Sequence, residues 1–202
     1  VKIEVKDITG FKSSGKHKKK KQIILSHTSR NINDYISSLK YRHNGEYKKI
    51  PNFIIDRNGV IYRLISENDY SNFFLDSTIN KNGIIICLEN LGWLEKIPLN
   101  DGYVNWIGDI YNEQVFEKKW RDYFFWQPYT EKQILACANL CSELLDIFSI
   151  DKKCIGHNVK SDKAEKFEGI VSKSNFDSDF TDISPAFDFE SFFKKIEHEQ
   201  LV

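Results

Sequence analysis

Methionine is absent from the 202-residue chain, and cysteine numbers only four. Four thiols in a chain of this length do not make a disulfide scaffold, and the count fits a reducing compartment. Neither sign of charge is in excess, because 29 Lys plus Arg balance 29 Asp plus Glu. A protein that neutralises many phosphates normally carries a basic excess, so nucleic acid is not the expected partner. No apolar run approaches the roughly eighteen residues of a membrane span. The first residues, Val1 to Gly10, lack the apolar core and small-residue cleavage site of a secretory leader. Cytoplasmic synthesis is therefore expected. The chain starts at Val1, so its start reads as trimmed, and secretion stays open as an alternative.

What is present is ordinary globular composition, 41% hydrophobic and 29% charged. A chain of this size buries roughly 70% of its unfolded surface around one core, and a single domain over residues 1–202 is expected. Lys16 to Lys21 reads as a solvated basic loop before a strand. Gln22 to His27 is a β-branched apolar run, the pattern of a buried strand. Asn31 to His43 has apolar residues at helical spacing, with Gly45 as a stop. Asn58-Gly59 between the runs 52–56 and 60–65 predicts a hairpin with positive φ at both turn positions. Gly83 to Glu89 predicts a central strand.

All four tryptophans, Trp93, Trp106, Trp120 and Trp126, fall in the aromatic-rich stretch 93–128, where Val115 to Tyr123 is expected to form a short helix. The stretch reads either as an aromatic wall for sugar rings or as a local mini-core. Thr130 and Gln133 spell a capping box. The apolar stripe from Ile134 to Phe148 makes the helix behind it amphipathic, with Cys137 and Cys141 as core fillers. Lys153 to His157 predicts a final strand, and Phe187 to Glu197 a closing helix. This order predicts an α/β domain with one mixed central β-sheet flanked by helices.

His27 and His157 each close a predicted strand, where α/β folds collect their sites. By itself such a pair is weak evidence for a metal. Five ordered segments sharpen it: IILSH, PNFIIDRNGVIYRLI, GIIICLEN, IGHN and TDISPAFDF. Together they resemble the zinc-dependent N-acetylmuramoyl-L-alanine amidases of type 2, which are similar in fold to the peptidoglycan recognition proteins. The resemblance runs from Gln22 to Phe193. It implies that His27, His157 and Asp182 hold Zn²⁺, leaving a fourth position open. It also implies hydrolysis of the amide between N-acetylmuramic acid and L-alanine, with peptidoglycan or muropeptides as partner. Asn52 and Trp93 are the substrate-binding candidates, and a monomer is expected. A period-2 strand turns Cys154 away from the metal.

The chain departs from the family at three points. Cys87 stands where many members have a glutamate base, Pro51 where others have a tyrosine, and Phe180 where a lysine often precedes the last ligand. Two readings follow. In one, Glu89, roughly 7 Å further along the strand than Cys87, becomes the base. The extended loop 158–181 then supplies a cation from Lys160, Lys163, Lys166 or Lys173. In the other, the fold survives as a catalytically impaired peptidoglycan-binding protein.

Overall fold

The computed structural model describes residues 4–98, 101–155 and 159–198, the side chains of 197 and 198 excepted. In chain order, β1 (Val5–Asp7), β2 (Gly15–Lys16) and β3 (Gln22–His27) precede α1 (Ile32–Tyr41). The hairpin β4 (Phe53–Ile55) and β5 (Ile61–Arg63) follows, then β6 (Asp69–Tyr70), α2 (Ser77–Asn82) and β7 (Gly83–Leu88). The aromatic stretch contains β8 (Trp93–Lys96), β9 (Tyr103–Val104), β10 (Ile110–Tyr111), β11 (Phe116–Trp120) and β12 (Tyr123–Trp126). After it come α3 (Glu131–Phe148), β13 (Gly169–Ser172) and α4 (Phe189–His198).

The main sheet has the order β1-β5-β4-β7-β3-β13. Only the β4–β5 hairpin pairs antiparallel, so the sheet is mixed, as expected. Alternate residues of its central strands face opposite layers. Ile23, Leu25, Ile84 and Ile86 pack with the apolar stripe of α3 and with Phe192 and Ile196 of α4. Ile24, Ile85, Cys87 and Val171 pack with Leu39, Tyr35 and Ile36 of α1. Both faces are covered, which is why β3 and β7 read as continuous apolar runs. Cys154 packs with the α3 side and Ile155 with the α1 side, so the two alternate across the sheet as an extended segment requires.

The local signals around the helices hold well. Asn31 accepts the Asp34 N–H and caps α1, and both halves of the Thr130–Gln133 box form at α3. The hairpin turn differs from the expectation. Of its Asn-Gly pair only Gly59 has positive φ, while Asp56 Oδ1 accepts the N–H groups of Asn58 and Val60. The carboxylate thus organises a longer turn than the two-residue type.

The expected helix at 115–123 is a strand, β11, in a second, antiparallel sheet of order β10-β9-β8-β12-β11. Aromatic side chains favour a pleated surface. Trp120 lies opposite Tyr123 and Phe116 opposite Trp126, whose indole N–H donates to the Lys118 carbonyl at 2.8 Å. Leu91, Leu94 and Tyr111 are buried under this sheet, so most of the stretch is a mini-core. Of the expected strand at 153–157, the described residues 153–155 form a single bridge at Cys154 and the rest lies outside the described residues; the edge strand is β13, inside the segment read as a loop.

Lys20 also departs from the reading of its run as solvated. It is 4% exposed, and its ammonium donates to the carbonyls of Asp69, Lys81 and Gly83. Burial pushes its pKa down to about 8, against an opposing pull from Asp69.

Candidate functional site

The parallel strands β4, β7, β3 and β13 end at one edge of the sheet, and chemistry collects beyond such ends. His27 closes β3 there, opposite Leu88, and is nearly buried. Asp182 returns to the same place although it lies 155 residues further along. Its Oδ2 accepts from Ser26 Oγ, from Lys173 Nζ at 3.3 Å and, more weakly, from the His27 backbone N–H at 3.4 Å. The Ser174 N–H donates to the Asp182 carbonyl at 2.6 Å and fixes its backbone.

Burial pushes the Asp182 carboxyl up, but Lys173, His27 and Ser26 outweigh it and hold the group below its ordinary value. Burial pushes His27 down, Asp182 pulls it partly back, and Lys173 lowers it further, for a net decrease. The result is an ionised carboxylate beside a neutral imidazole, the protonation states a divalent cation requires of its ligands. The Tyr129 hydroxyl lies 3.3 Å from His27 Nδ1. Metal-binding imidazoles are commonly oriented through such a contact on the second nitrogen. On the other nitrogen, a Cβ added to Gly92 (φ +80°) would stand 2.9 Å from Nε2, so only glycine leaves that nitrogen room.

The structure brings together His27 and Asp182, and His157 lies outside the described residues. Lys173 is the lysine that reaches the site. It follows β13 directly, and its ammonium stands 4.4 Å from the centroid of the Phe180 ring, the residue at the family's lysine position. Reading Gly169-Ile170-Val171-Ser172 as a strand would have singled Lys173 out, since its neighbour strand is the one that ends in His27.

Asn52, Glu89 and Trp93 are placed otherwise. Asn52 is 1% exposed, donates to the Ser66 and Asp69 carbonyls and accepts the Ile85 N–H, so its amide is a latch inside the fold, not a substrate contact. Glu89 accepts the Ile32 N–H at 2.9 Å through one oxygen and the Arg57 N–H at 3.0 Å through the other. Its carboxylate ties the start of α1 to the β4–β5 turn. Trp93 stacks on Tyr123 at 4.3 Å within the second sheet and does not line the cleft beside His27. Cys87 does face the site. Its Sγ lies 3.7 Å from the Tyr35 hydroxyl, and burial pushes the thiol up to about 12.

A cleft of about 590 Å³ runs from Ser26 and His27 along α1 to Phe74. Arg30, Arg42, Lys49 and Lys173 line it against Asp76, Glu165 and Asp177, so cations outnumber carboxylates by one. Two ties bind the second sheet to the loops around the site. Asn105 Nδ2 donates to the Ser29 carbonyl at 3.0 Å. Arg121 Nη2 donates to the carbonyls of Ser174 and Asp177, on the loop between Lys173 and Asp182.

The profile of the family described as N-acetylmuramoyl-L-alanine amidase matches residues 16–167. The chain belongs to this family. The amidase is by that membership an amide hydrolase of peptidoglycan. The match ends before Lys173 and Asp182, so the position of those two rests on the geometry above. In fold, the amidase is similar to the N-acetylmuramoyl-L-alanine amidase LysC from Clostridium intestinale. The TM-score is 0.58 at 13% identity, over 97% of this chain and 99% of that one. It is also similar to AmiD from E. coli, solved with anhydro-N-acetylmuramic acid-L-Ala-D-gamma-Glu-L-Lys. There the TM-score is 0.56 at 14% identity, over 92% of this chain and 60% of that one. For AmpDh3 from Pseudomonas aeruginosa, solved with an anhydromuramic pentapeptide, the TM-score is 0.54 at 12% identity, over 92% of this chain and 63% of that one. A search of curated protein sequences gives no match. No described helix is long and apolar enough to cross a membrane.

Proposed function

We propose that the amidase cleaves the bond between N-acetylmuramic acid and L-alanine in a zinc-dependent reaction. His27, Asp182 and His157 would hold the ion. The observation that carries this reading is the meeting of His27 and Asp182 at one sheet edge, where Ser26, Lys173 and the His27 backbone N–H all converge on Asp182 Oδ2. His157, the third member of the proposed set, lies outside the described residues. Zinc, when bound, polarises the amide carbonyl and makes its water acidic.

The chain's own groups do the rest. Ser26 and Lys173 hold the Asp182 carboxylate in place, and the Tyr129 hydroxyl orients the His27 ring. Lys173, on the cleft wall, stabilises the negative charge that develops on the carbonyl oxygen. β7 itself carries no carboxylate. Turnover should therefore be slower than that of a chain with glutamate at position 87. Arg30, Arg42 and Lys49 on the cleft wall suit a stem peptide with free carboxylates. Similarity along nearly the whole chain to LysC and to the endolysine amidase LysCS supports an endolysin-like enzyme that acts on the cell wall. A monomer, made in the cytoplasm and released to its substrate, is the form proposed for it.

Metal analysis combined with mass spectrometry of muropeptide digests tests the reading. The expected result is stoichiometric zinc, with free stem peptides released. Full activity in a zinc-free preparation would overturn the metal assignment. Bound but uncleaved muropeptides would replace the enzyme with a binding protein of the same fold.

A further inference from the structure

Trp106 is the tryptophan that the mini-core does not use. Its side chain is 56% exposed, and it lines the cleft that contains His27. An indole left in water at the rim of a cleft is a large apolar surface without a structural job.

Its backbone, by contrast, is held tightly. Asn105, 4% exposed, accepts the N–H groups of Ile107 at 3.2 Å and Asp109 at 2.8 Å through Oδ1. The backbone closes the same turn twice, from Gly108 N–H to the Asn105 carbonyl and from Asn105 N–H to the Asp109 carbonyl, each at 3.1 Å. The amide of Asn105 also donates to the Ser29 carbonyl. Ser29, two residues after His27, adopts φ +58° and lines the cleft beside Arg30. The turn thus fixes the backbone that carries the indole relative to the end of β3. Ordering cost on binding is correspondingly small.

We infer that Trp106 is a stacking platform for a pyranose ring of the glycan strand, on the side of the site away from the stem peptide. The apolar C–H face of a β-linked N-acetylhexosamine complements the electron-rich face of an indole. The sugar lies next to the scissile amide, and Trp106 is tied to the loop that follows His27. The cationic part of the cleft along α1, with Arg42 and Lys49, is left for the peptide. This inference rests on the amidase reading for its substrate.

The test compares Trp106→Ala, Trp106→Phe and the unaltered enzyme on three substrates. These are a disaccharide-peptide, a monosaccharide-peptide and an N-acetyl-L-alanyl peptide without sugar. A second readout is quenching of indole fluorescence by a β-1,4-linked N-acetylglucosamine tetramer. Loss of one stacked ring should raise KM for the disaccharide-peptide by about ten-fold, equivalent to about 1.4 kcal/mol. It should leave kcat nearly unchanged, and Phe should restore part of the loss. Quenching by the tetramer should weaken in Trp106→Phe. An equal rise in KM for the sugar-free peptide would assign Trp106 to the peptide and overturn the inference, as would unchanged KM and quenching. If no substrate is cleaved but Trp106-dependent quenching persists, the amidase reading falls while the glycan platform stands.

Discussion

Replacing Glu89 by Gln separates two jobs for one carboxylate. In the structure each oxygen accepts a backbone N–H, from Ile32 at the start of α1 and from Arg57 in the hairpin turn. A glutamine keeps one acceptor and turns an NH₂ toward the other N–H, so one contact is lost and a donor faces a donor. Hydrogen bonds to charged groups contribute about 1.5–3 kcal/mol each. For a domain of this length that corresponds to a fall of about 3–12 °C in Tm. Catalysis, measured below the transition on muropeptides, should change by less than about three-fold, since loss of a general base costs about 10²–10⁴. Thermal unfolding and kcat on the same preparation decide the matter. A Tm within a degree of the parent together with a hundred-fold loss of kcat would refute the clamp and restore Glu89 as the base.

Lys173→Ala should lower kcat by about 10²–10³, the usual cost of one donor to a developing oxyanion, with Lys173→Arg recovering part of it. Unchanged kcat at full metal occupancy would remove Lys173 from that role. Gly92→Ala should lower zinc content, because its Cβ would press on His27 Nε2 at 2.9 Å. It should also cost about 1–3 kcal/mol of stability from the left-handed backbone; a fully metallated, equally stable variant would argue against Nε2 as the ligand atom. Asn52→Ala should destabilise the fold by about 1–3 kcal/mol, through backbone groups left without partners. Its KM should stay at the parent value, and a selective rise in KM in a stable variant would return Asn52 to the substrate.

The strands β3 and β7 were legible because both are short β-branched runs bounded by polar residues, and a sheet covered on both faces needs that pattern. α3 was legible from its cap and its stripe, which are local signals. The β11 strand is not legible in the sequence because Phe116-Glu117-Lys118-Lys119-Trp120 has no clear period, and its conformation is set by pairing with β12. Asn52, Glu89 and Lys20 share another cause. Their partners are backbone groups of segments distant in the chain, and the residue types alone do not reveal them. At the site, the two described ligand candidates came from motif order, whereas Lys173 had to be chosen among four lysines and needed the register of β13 on β3.

The grip of Arg121 on the Ser174 and Asp177 carbonyls, with Asn105 held on Ser29, makes the aromatic sheet a brace across both banks of the cleft. Anyone paring this protein down to a minimal lytic module would be tempted to excise residues 93–126 as ornament. The cut would release the two segments that carry the reactive groups, and the trimmed version would have to be refitted with new struts before it could work.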